Sequence, residues 1–445
     1  MNFQKLLKNF DRDALKKYLS NTVWLAAEKV LRLVLAMVVG LWVARYLGKE
    51  RFGQLNYVLS YVFLFTSISA LGLTELLARE FLKRPEKQLL STTFYIKLAS
   101  GAFFFILANV LALCWKHDST ELLLILIVSL STPFAAFDVV TYYFQAKVKS
   151  KVVVKVQLGV LLATSVLKLL FVYYECSIVY FAVASMLDWA LSNFCLYFIF
   201  RKLGLSIAWR DIDWQLCKEL SLQAWPLALN GVAIAFAARL DQLLLKHLLG
   251  DSANGIYSAA IQISEKWLFV PMIIGASVFP ALIHARQDAP ERYKKRVQQL
   301  SDFFVVLGVT AGIGASLLSE QAIDILYGSG YSGAGAVLSI HIWCGVFASL
   351  NAVNGRWLLA ENLVKFILIR SFVGFFCTLV GHFLLIPNYG VLGAAWSVLA
   401  AQSVASYFVF AFFKETRPLF WIETKSLFGI SLIQEAWKFL AHKKA

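Results

Sequence analysis

The sequence has few charged residues and long stretches with none. Only 16% of its 445 residues are charged, whereas 59% are hydrophobic and 15% aromatic, and the mean hydropathy is +0.68. This balance excludes an ordinary soluble globular domain and predicts a polytopic membrane protein. From Leu33 to Ala44 no charge occurs at all, as expected of a helix that crosses a bilayer.

Cysteine and catalytic motifs are also scarce. The six cysteines lie in or beside apolar runs without metal or redox spacing, so we interpret them as small core residues. The sequence contains no paired-Asp metal motif, nucleotide-binding loop or nucleophile–histidine constellation, and the histidines are isolated from one another. We therefore expect neither an enzyme nor a bound metal or cofactor. No small-residue cleavage site follows the charged N-terminus, so no removable signal peptide is expected.

The Lys and Arg residues that give the chain its net charge of +15 are unevenly distributed along the sequence. One set of alternate connections carries 29 of the 42 Lys and Arg residues, and the opposite set carries 5. The rich set comprises 1–18, 79–87, 147–155, 201–218, 284–298, 360–365 and the C-terminal tail. Positive residues concentrate in cytoplasmic loops, so both termini are predicted to be cytoplasmic. The charge thus reflects topology, and no nucleic-acid partner is expected.

Apolar runs of about 20 residues predict an all-α membrane protein with about 12 transmembrane helices. Their predicted extents are 19–44, 52–74, 88–114, 121–146, 151–174, 178–200, 218–244, 254–280, 300–318, 334–359, 363–386 and 391–413. The predicted domains are an amphipathic N-terminus (1–18), a six-helix bundle (19–200), a cytoplasmic linker (201–217), a second six-helix bundle (218–413) and an amphipathic tail (414–445). We expect both terminal segments to lie on the cytoplasmic membrane surface.

An internal repeat supports this division into two halves. Leu47-Gly48 is followed by Gly53, and the same L-G-x4-G spacing recurs at Leu249-Gly250 and Gly255, offset by 202 residues. Together with six helices in each half, the repeat predicts two bundles related by a pseudo-twofold axis along the membrane normal. Two such halves that rock against each other would form a carrier.

Three segments resemble a known family. They are ARYLGKERFGQLNY after the first helix, YYFQAKVKSKVVVK after the fourth and IPNYGVLGAA between the last two. From Asn21 to about Phe413 the chain resembles the Wzx-type polysaccharide flippases, a branch of the multidrug/oligosaccharidyl-lipid/polysaccharide exporter superfamily. The resemblance implies alternating-access transfer of an undecaprenyl-pyrophosphate-linked oligosaccharide, such as an O-antigen, capsule or exopolysaccharide repeat unit, to the periplasmic leaflet of the bacterial inner membrane. It also implies contacts with membrane lipids and with other polysaccharide-assembly membrane proteins.

Cations inside the predicted helices are candidates for binding the pyrophosphate. A charge at the bilayer centre costs about 2.5–3.5 kcal/mol, so such residues are expected to face other helices or a wet cavity. The predicted substrate-binding residues are Arg32, Lys29, Arg239, Lys266, Lys168 and the sugar-stacking candidate Trp24. Alternatives stay open, because Arg32 could form a structural pair with Glu28 and Lys168 could snorkel. The 202-residue offset places Arg32 opposite apolar Ile234, which favours a role in substrate binding over one in the duplicated scaffold.

Carboxylates inside the membrane are candidates for coupling to H⁺ or Na⁺. They are Glu28, Asp138, Asp188, Asp241 and Glu265. For any one of them, neutralisation of a nearby cation is the alternative role. Cation coupling is also what the family resemblance implies.

Two other functions fit the sequence less well. A cation-coupled exporter of small molecules should have a more acidic or apolar cavity than eight intramembrane cations and about six acids provide. A membrane enzyme of polysaccharide assembly would be expected to carry a sizeable external loop, yet the longest external connection, 319–333, has about fifteen residues.

Overall fold

The structure, a computed structural model, describes most of the chain. The backbone is described for residues 12–81, 86–115, 117–268, 270–275, 290–431 and 433. Within these ranges, the side chains of residues 12–29, 75, 78, 79 and 290–292 lie outside the described part.

Helices account for nearly all of the described chain, and no strand occurs in the ranges given above. The first helices are α1 (Arg12–Ser69), α2 (Leu73–Glu80), α3 (Glu86–Cys114), α4 (Ser119–Ser129), α5 (Ser131–Phe134), α6 (Asp138–Ala146), α7 (Ser150–Tyr173) and α8 (Ile178–Lys202). The later ones are α9 (Trp214–Leu249), α10 (Asp251–Trp267), α11 (Pro290–Leu326), α12 (Ala334–His341), α13 (Cys344–Ala360), α14 (Lys365–Ser406) and α15 (Arg417–Leu427).

Nine spans in the described residues are long and apolar enough to cross a membrane. They are Val30–Ser69, Glu86–Cys114, Ser119–Ala146, Ser150–Tyr173, Ile178–Lys202, Trp214–Leu249, Tyr293–Leu326, Ala334–Ala360 and Lys365–Ala411. The protein is therefore a multi-pass membrane protein, as the composition predicts. The predicted helix 254–280 lies partly outside the described residues.

Two of the nine spans contain a sharp break at a glycine. Gly48 interrupts α1 at φ 68° and ψ 169°, and Gly390 interrupts α14 at φ 58° and ψ −135°. A positive φ strains residues that carry a Cβ, so glycine is the residue that allows these breaks. The predicted connections 45–51 and 387–390 therefore shrink to breaks of a single non-helical residue between nearly continuous helices.

The described chain folds into two compact units. The first comprises the residues up to Leu47 together with Gln54–Ala235, and the second comprises Gly48–Gly53 together with the residues from Phe236 onward. The division between the units falls inside α9. The domain boundaries predicted from the sequence stay predictions.

The two glycine repeats meet inside the second unit. A Cβ added at Gly53 would lie 1.9 Å from the carbonyl oxygen of Asp251, and one added at Gly255 would lie 1.8 Å from that of Lys49. The Asn254 side chain also donates a hydrogen bond to the carbonyl oxygen of Gly53, at 2.8 Å. Each repeat thus places its second glycine against the start of the other repeat's helix. The repeat marks a backbone-to-backbone crossing that only glycine permits.

Beyond the last span, α15 packs on α11 through polar contacts. The Asp302 carboxylate accepts hydrogen bonds from the hydroxyls of Ser426 and Ser431, both at 2.6 Å. The Gln298 amide donates to the Ser426 hydroxyl at 2.8 Å. The segment predicted as an amphipathic tail therefore includes a short docked helix. Most of the predicted amphipathic N-terminus lies outside the described residues, and residues 12–18 are continuous with α1.

Candidate functional site

A cavity of about 320 Å³ opens among the helices of the first unit. Four elements contribute to it: α1, α6, α7 and α8. Its lining residues are Arg32, Asp138, Thr141, Tyr142, Gln157, Asp188, Trp189, Ser192 and Asn193. Three of the residues predicted from the sequence, Arg32, Asp138 and Asp188, therefore meet in one cavity.

Helix α8 supplies four of the lining residues from one short polar run. Asp188, Trp189, Ser192 and Asn193 lie at spacings of one, three and four residues, which place them on one side of a helix that is otherwise strongly apolar. The Asn193 amide is held by a hydrogen bond to the carbonyl oxygen of Trp189, at 3.1 Å. The Trp189 side chain is partly exposed and lines the cavity.

Asp138 forms an ion pair with Lys97 from α3. Lys97 Nζ lies 2.5 Å from Oδ1 and 2.7 Å from Oδ2, so the ammonium bridges both carboxylate oxygens. The Lys97 side chain is 1% exposed and that of Asp138 is 18% exposed. The ammonium also lies 5.9 Å from the centre of the Tyr142 ring. The geometry fits the charge-balancing role weighed for Asp138, because its nearest cation is buried and bound to it.

The Asp188 carboxylate is bound by a hydroxyl group. Its Oδ1 accepts a hydrogen bond from the Thr164 hydroxyl at 3.1 Å, and Lys168, one turn further along α7, interacts with it electrostatically. Lys168 therefore lies near the cavity without lining it. The lining itself carries one guanidinium, Arg32, and two carboxylates.

The arrangement suits a polar, hydroxyl-rich ligand. Arg32 can offer a fork of donors to phosphate or carboxylate oxygens. The hydroxyls of Thr141, Tyr142 and Ser192 and the amides of Gln157 and Asn193 can donate to and accept from sugar hydroxyls. An indole and a phenol ring can pack against the apolar face of a sugar.

A second polar cluster lies in the second unit. Arg239 Nη1 lies 3.1 Å from Glu265 Oε1, which joins α9 to α10. Asp241, 4% exposed, accepts a hydrogen bond from the Tyr257 hydroxyl at 2.6 Å. The ring of His341 on α12 lies 6.2 Å from that of Tyr257.

Near these residues, His341 Nδ1 lies 2.8 Å from the Ser264 hydroxyl. Lys266 follows Glu265 in the sequence, but the Glu265 carboxylate accepts its hydrogen bond from Arg239. The cluster therefore contains three of the predicted residues, Arg239, Asp241 and Glu265.

The other predicted residues fall outside what the structure describes. They are Trp24, Glu28 and Lys29, whose side chains belong to the undescribed part of α1. Several site residues were missed from the sequence: Tyr142, Gln157, Ser192, Asn193, Tyr257 and His341. The polar run from Asp188 to Asn193 was the available signal for two of them. Nothing in the sequence marks Tyr257 or His341 as neighbours of Asp241.

Comparison with known proteins defines the family. The profile of a family described as "Polysaccharide biosynthesis protein" matches residues 18–285, more than half of the chain. The chain belongs to this family. The resemblance predicted from the sequence, to the polysaccharide branch of the exporter superfamily, is thereby confirmed.

Two relatives match this chain over part of their length. The capsular polysaccharide biosynthesis protein CapF of Staphylococcus aureus is 24% identical over 198 residues, covering 44% of this chain and 50% of CapF. The probable flippase AglR of Haloferax volcanii is 29% identical over 173 residues, covering 38% of this chain and 36% of AglR. The chain thus spans half the length of the first relative and about a third of the second.

Solved structures show the fold. The lipid II flippase MurJ, in an inward closed conformation, has a TM-score of 0.72 at 12% identity, covering 94% of this chain and 93% of MurJ. An inward-facing multidrug resistance MATE family transporter of the MOP superfamily has a TM-score of 0.68 at 12% identity, covering 89% of this chain and 94% of the transporter. Similarity at this level of identity establishes a shared fold and leaves the substrate open.

Proposed function

We propose that this protein is a flippase that transfers a lipid-linked oligosaccharide between the leaflets of a membrane by alternating access. The observation that carries the proposal is the cavity in the first unit, where Arg32 lies among hydroxyls, amides and an indole. A pyrophosphate-linked sugar needs this combination of a cation and sugar-binding groups. The match to the polysaccharide biosynthesis protein family and the MurJ-like fold support the same function.

The finer features follow from the family and the charge pattern. The carrier lipid would be undecaprenyl pyrophosphate, and the direction cytoplasm to periplasm across the bacterial inner membrane. Twelve crossings would form two six-helix bundles, with both termini in the cytoplasm. Other polysaccharide-assembly membrane proteins would be its partners. No catalytic step is part of this proposal, since a flippase moves its substrate unchanged.

Cation coupling is part of the proposal, with H⁺ or Na⁺ as the ion. In the second unit, Asp241 is buried and Glu265 is bound to Arg239, so a cation that displaced Arg239 would change the charge of this cluster. Of the two carboxylates in the cavity of the first unit, Asp138 is paired with Lys97, whereas Asp188 forms no ion pair in the described residues. Asp188 is therefore the better candidate for exchanging a proton during transport.

The test is translocation of a short-tailed pyrophosphoryl oligosaccharide into vesicles that contain the purified protein. Arg32→Ala removes a charged hydrogen-bonding group worth about 1.5–3 kcal/mol, so transport should fall by about 10- to 100-fold. Arg32→Lys should lose less, because it keeps the charge and loses the fork. Arg239→Ala tests the second unit in the same way.

The matched control is Arg201→Ala, at the exposed end of α8, where no cavity residue is changed. Its transport should equal that of the wild type. Full activity of Arg32→Ala at an equal protein level would remove Arg32 from the substrate site.

A cation-coupled exporter of small molecules is the second candidate function. The MATE-like fold and the two carboxylates in the cavity favour it. Export of a cationic dye from vesicles, lost in Asp188→Asn and absent for the oligosaccharide, would favour this function over the flippase.

A further inference from the structure

Helix α15 buries a carboxylate on the face that packs against the rest of the second unit. Leu419, Glu423 and Ser426 lie on this face and are at most 2% exposed, whereas Trp421 on the opposite face is 59% exposed. The spacing of four and three residues is that of one helix face. An apolar residue would be expected at the middle position, since a buried charge is costly unless it is paired.

Glu423 is not paired. Neither of its carboxylate oxygens has a hydrogen-bond partner in the described part of the chain. Two other buried oxygens, Asn354 Oδ1 on α13 and Ser406 Oγ on α14, also lack partners there. The Asn354 amide nitrogen donates to the carbonyl oxygen of Ser406 at 2.8 Å, so these two residues are adjacent. Asn354 also interacts with Glu423.

The charged groups around Glu423 are engaged elsewhere. Arg370 on α14 acts on it electrostatically but donates a hydrogen bond to Asn351 Oδ1, at 2.8 Å. Asp302 on α11 accepts from Ser426 and Ser431. Lys425 on α15 itself is exposed. No cation among the described residues is therefore bonded to the Glu423 carboxylate.

We propose that Glu423 is a proton-binding site: the neutral carboxylic acid, with Asn354 and Ser406 as candidate acceptors of its proton, holds α15 against the rest of the second unit. The neutral acid can donate its proton to Asn354 Oδ1 or to Ser406 Oγ, neither of which has a hydrogen-bond partner in the described residues. It also removes the penalty of an unpaired buried charge. The site is separate from the acids inside the membrane spans and from the cavity that contains Arg32.

The direction of the pH effect follows from burial. Burial raises the pKa of Glu423 well above its usual range, while the Asn354 amide and the Arg370 charge oppose this rise more weakly. A carboxyl whose pKa is raised in the docked state stabilises docking fully at low pH. That contribution disappears as the pH rises through the raised pKa. Docking should therefore weaken by up to about tenfold per pH unit between the ordinary carboxyl pKa of the undocked helix and the raised pKa, and should change no further above the raised pKa.

Docking of α15 also shapes a second cavity. Trp421, Ile422 and Lys425 form the α15 wall of a cavity of about 920 Å³, whose lining also includes Tyr293 and Trp357. Ionisation of Glu423 would therefore alter this wall. The proton site makes the shape of the tail region depend on the pH on its side of the membrane.

The test is hydrogen–deuterium exchange of residues 417–427 in the full-length protein, in lipid nanodiscs, over a range of pH and corrected for intrinsic exchange rates. In the wild type, protection should be constant at low pH and then fall by up to about tenfold per pH unit. Glu423→Gln, which mimics the neutral acid, should stay protected throughout. The control Glu415→Gln changes an exposed carboxylate and should follow the wild type.

Three results would overturn the proposal. The first is wild-type protection that does not change with pH up to the point where the rest of the protein unfolds. The second is a Glu423→Gln profile that falls with pH like the wild type. The third is loss of protection in Glu423→Gln at every pH, because the amide preserves the size and neutrality of the acid. Infrared spectra provide an independent check, since a carboxylic-acid carbonyl band present in the wild type should be absent from Glu423→Gln.

Discussion

Replacing Lys97 with methionine should destabilise the protein by about 3–5 kcal/mol, because it leaves the Asp138 carboxylate unpaired in a largely buried site. Lys97 bridges both oxygens of Asp138 while its own side chain is almost fully buried. Methionine keeps the length of the apolar stem and removes only the ammonium. The free energy of unfolding, measured in detergent or bicelles, reports the change.

A second substitution distinguishes the effect of the unpaired Asp138 charge from the effect of changing the Lys97 side chain itself. Adding Asp138→Asn to Lys97→Met removes the orphaned charge and should recover most of the stability, whereas Asp138→Asn alone should be destabilising because it leaves the buried ammonium unpaired. Lys151→Met, at the exposed start of α7, is the control and should leave stability nearly unchanged. A Lys97→Met protein as stable as this control would show that the pair contributes nothing to the fold.

Much of the fold could be predicted because a bilayer constrains composition so strongly. Apolar runs had to be long enough to cross it, so the nine spans in the described residues overlap the predicted apolar runs. The L-G-x4-G repeat also had a physical basis, since a glycine that contacts another backbone cannot be replaced without a clash. Gly48, by contrast, was expected within a loop, and it is a single break inside one long helix.

The partners of the charges could not be predicted in the same way. Spacing along one helix predicts which side chains share a face, but Lys97 meets Asp138 from another helix, 41 residues away. Arg239 likewise meets Glu265 across 26 residues. These pairings depend on how each helix is rotated about its axis, and an apolar stripe that is nearly continuous does not specify that rotation.

In the candidate site, the location of the charged residues could be predicted from the sequence, but their binding partners could not. The cost of a charge in the membrane predicted that Arg32, Asp138 and Asp188 would face a cavity or other helices, and all three line one cavity. Their separate roles depend on neighbours that the sequence does not identify: Lys97 for Asp138 and Thr164 for Asp188. Glu423 was missed because a tail rich in aromatics and lysines predicts a surface helix, whose buried acid is visible only once its packing is known.

Both halves of the glycine crossing can be tested by adding one methyl group. At Gly255 the added Cβ would lie 1.8 Å from the carbonyl oxygen of Lys49, a distance no real contact reaches, so the backbones must separate. Gly255→Ala should therefore cost at least about 1–3 kcal/mol, the range for overpacking a tight interior. Gly53→Ala should cost a similar amount, because its Cβ would clash with the carbonyl oxygen of Asp251 and disturb the bond from Asn254.

The two substitutions should also be strongly non-additive. They act on one crossing, so once the first has separated the backbones the second should cost much less, and the double variant should lose less stability than the two single losses together. Gly159→Ala is the matched control, since nothing lies within 4 Å of its added Cβ in the middle of α7. Alanine there should stabilise the helix by about 0.5–1 kcal/mol. Additive losses at Gly53 and Gly255 would mean that the two repeats do not share a single contact, and the reciprocal crossing would have to be abandoned.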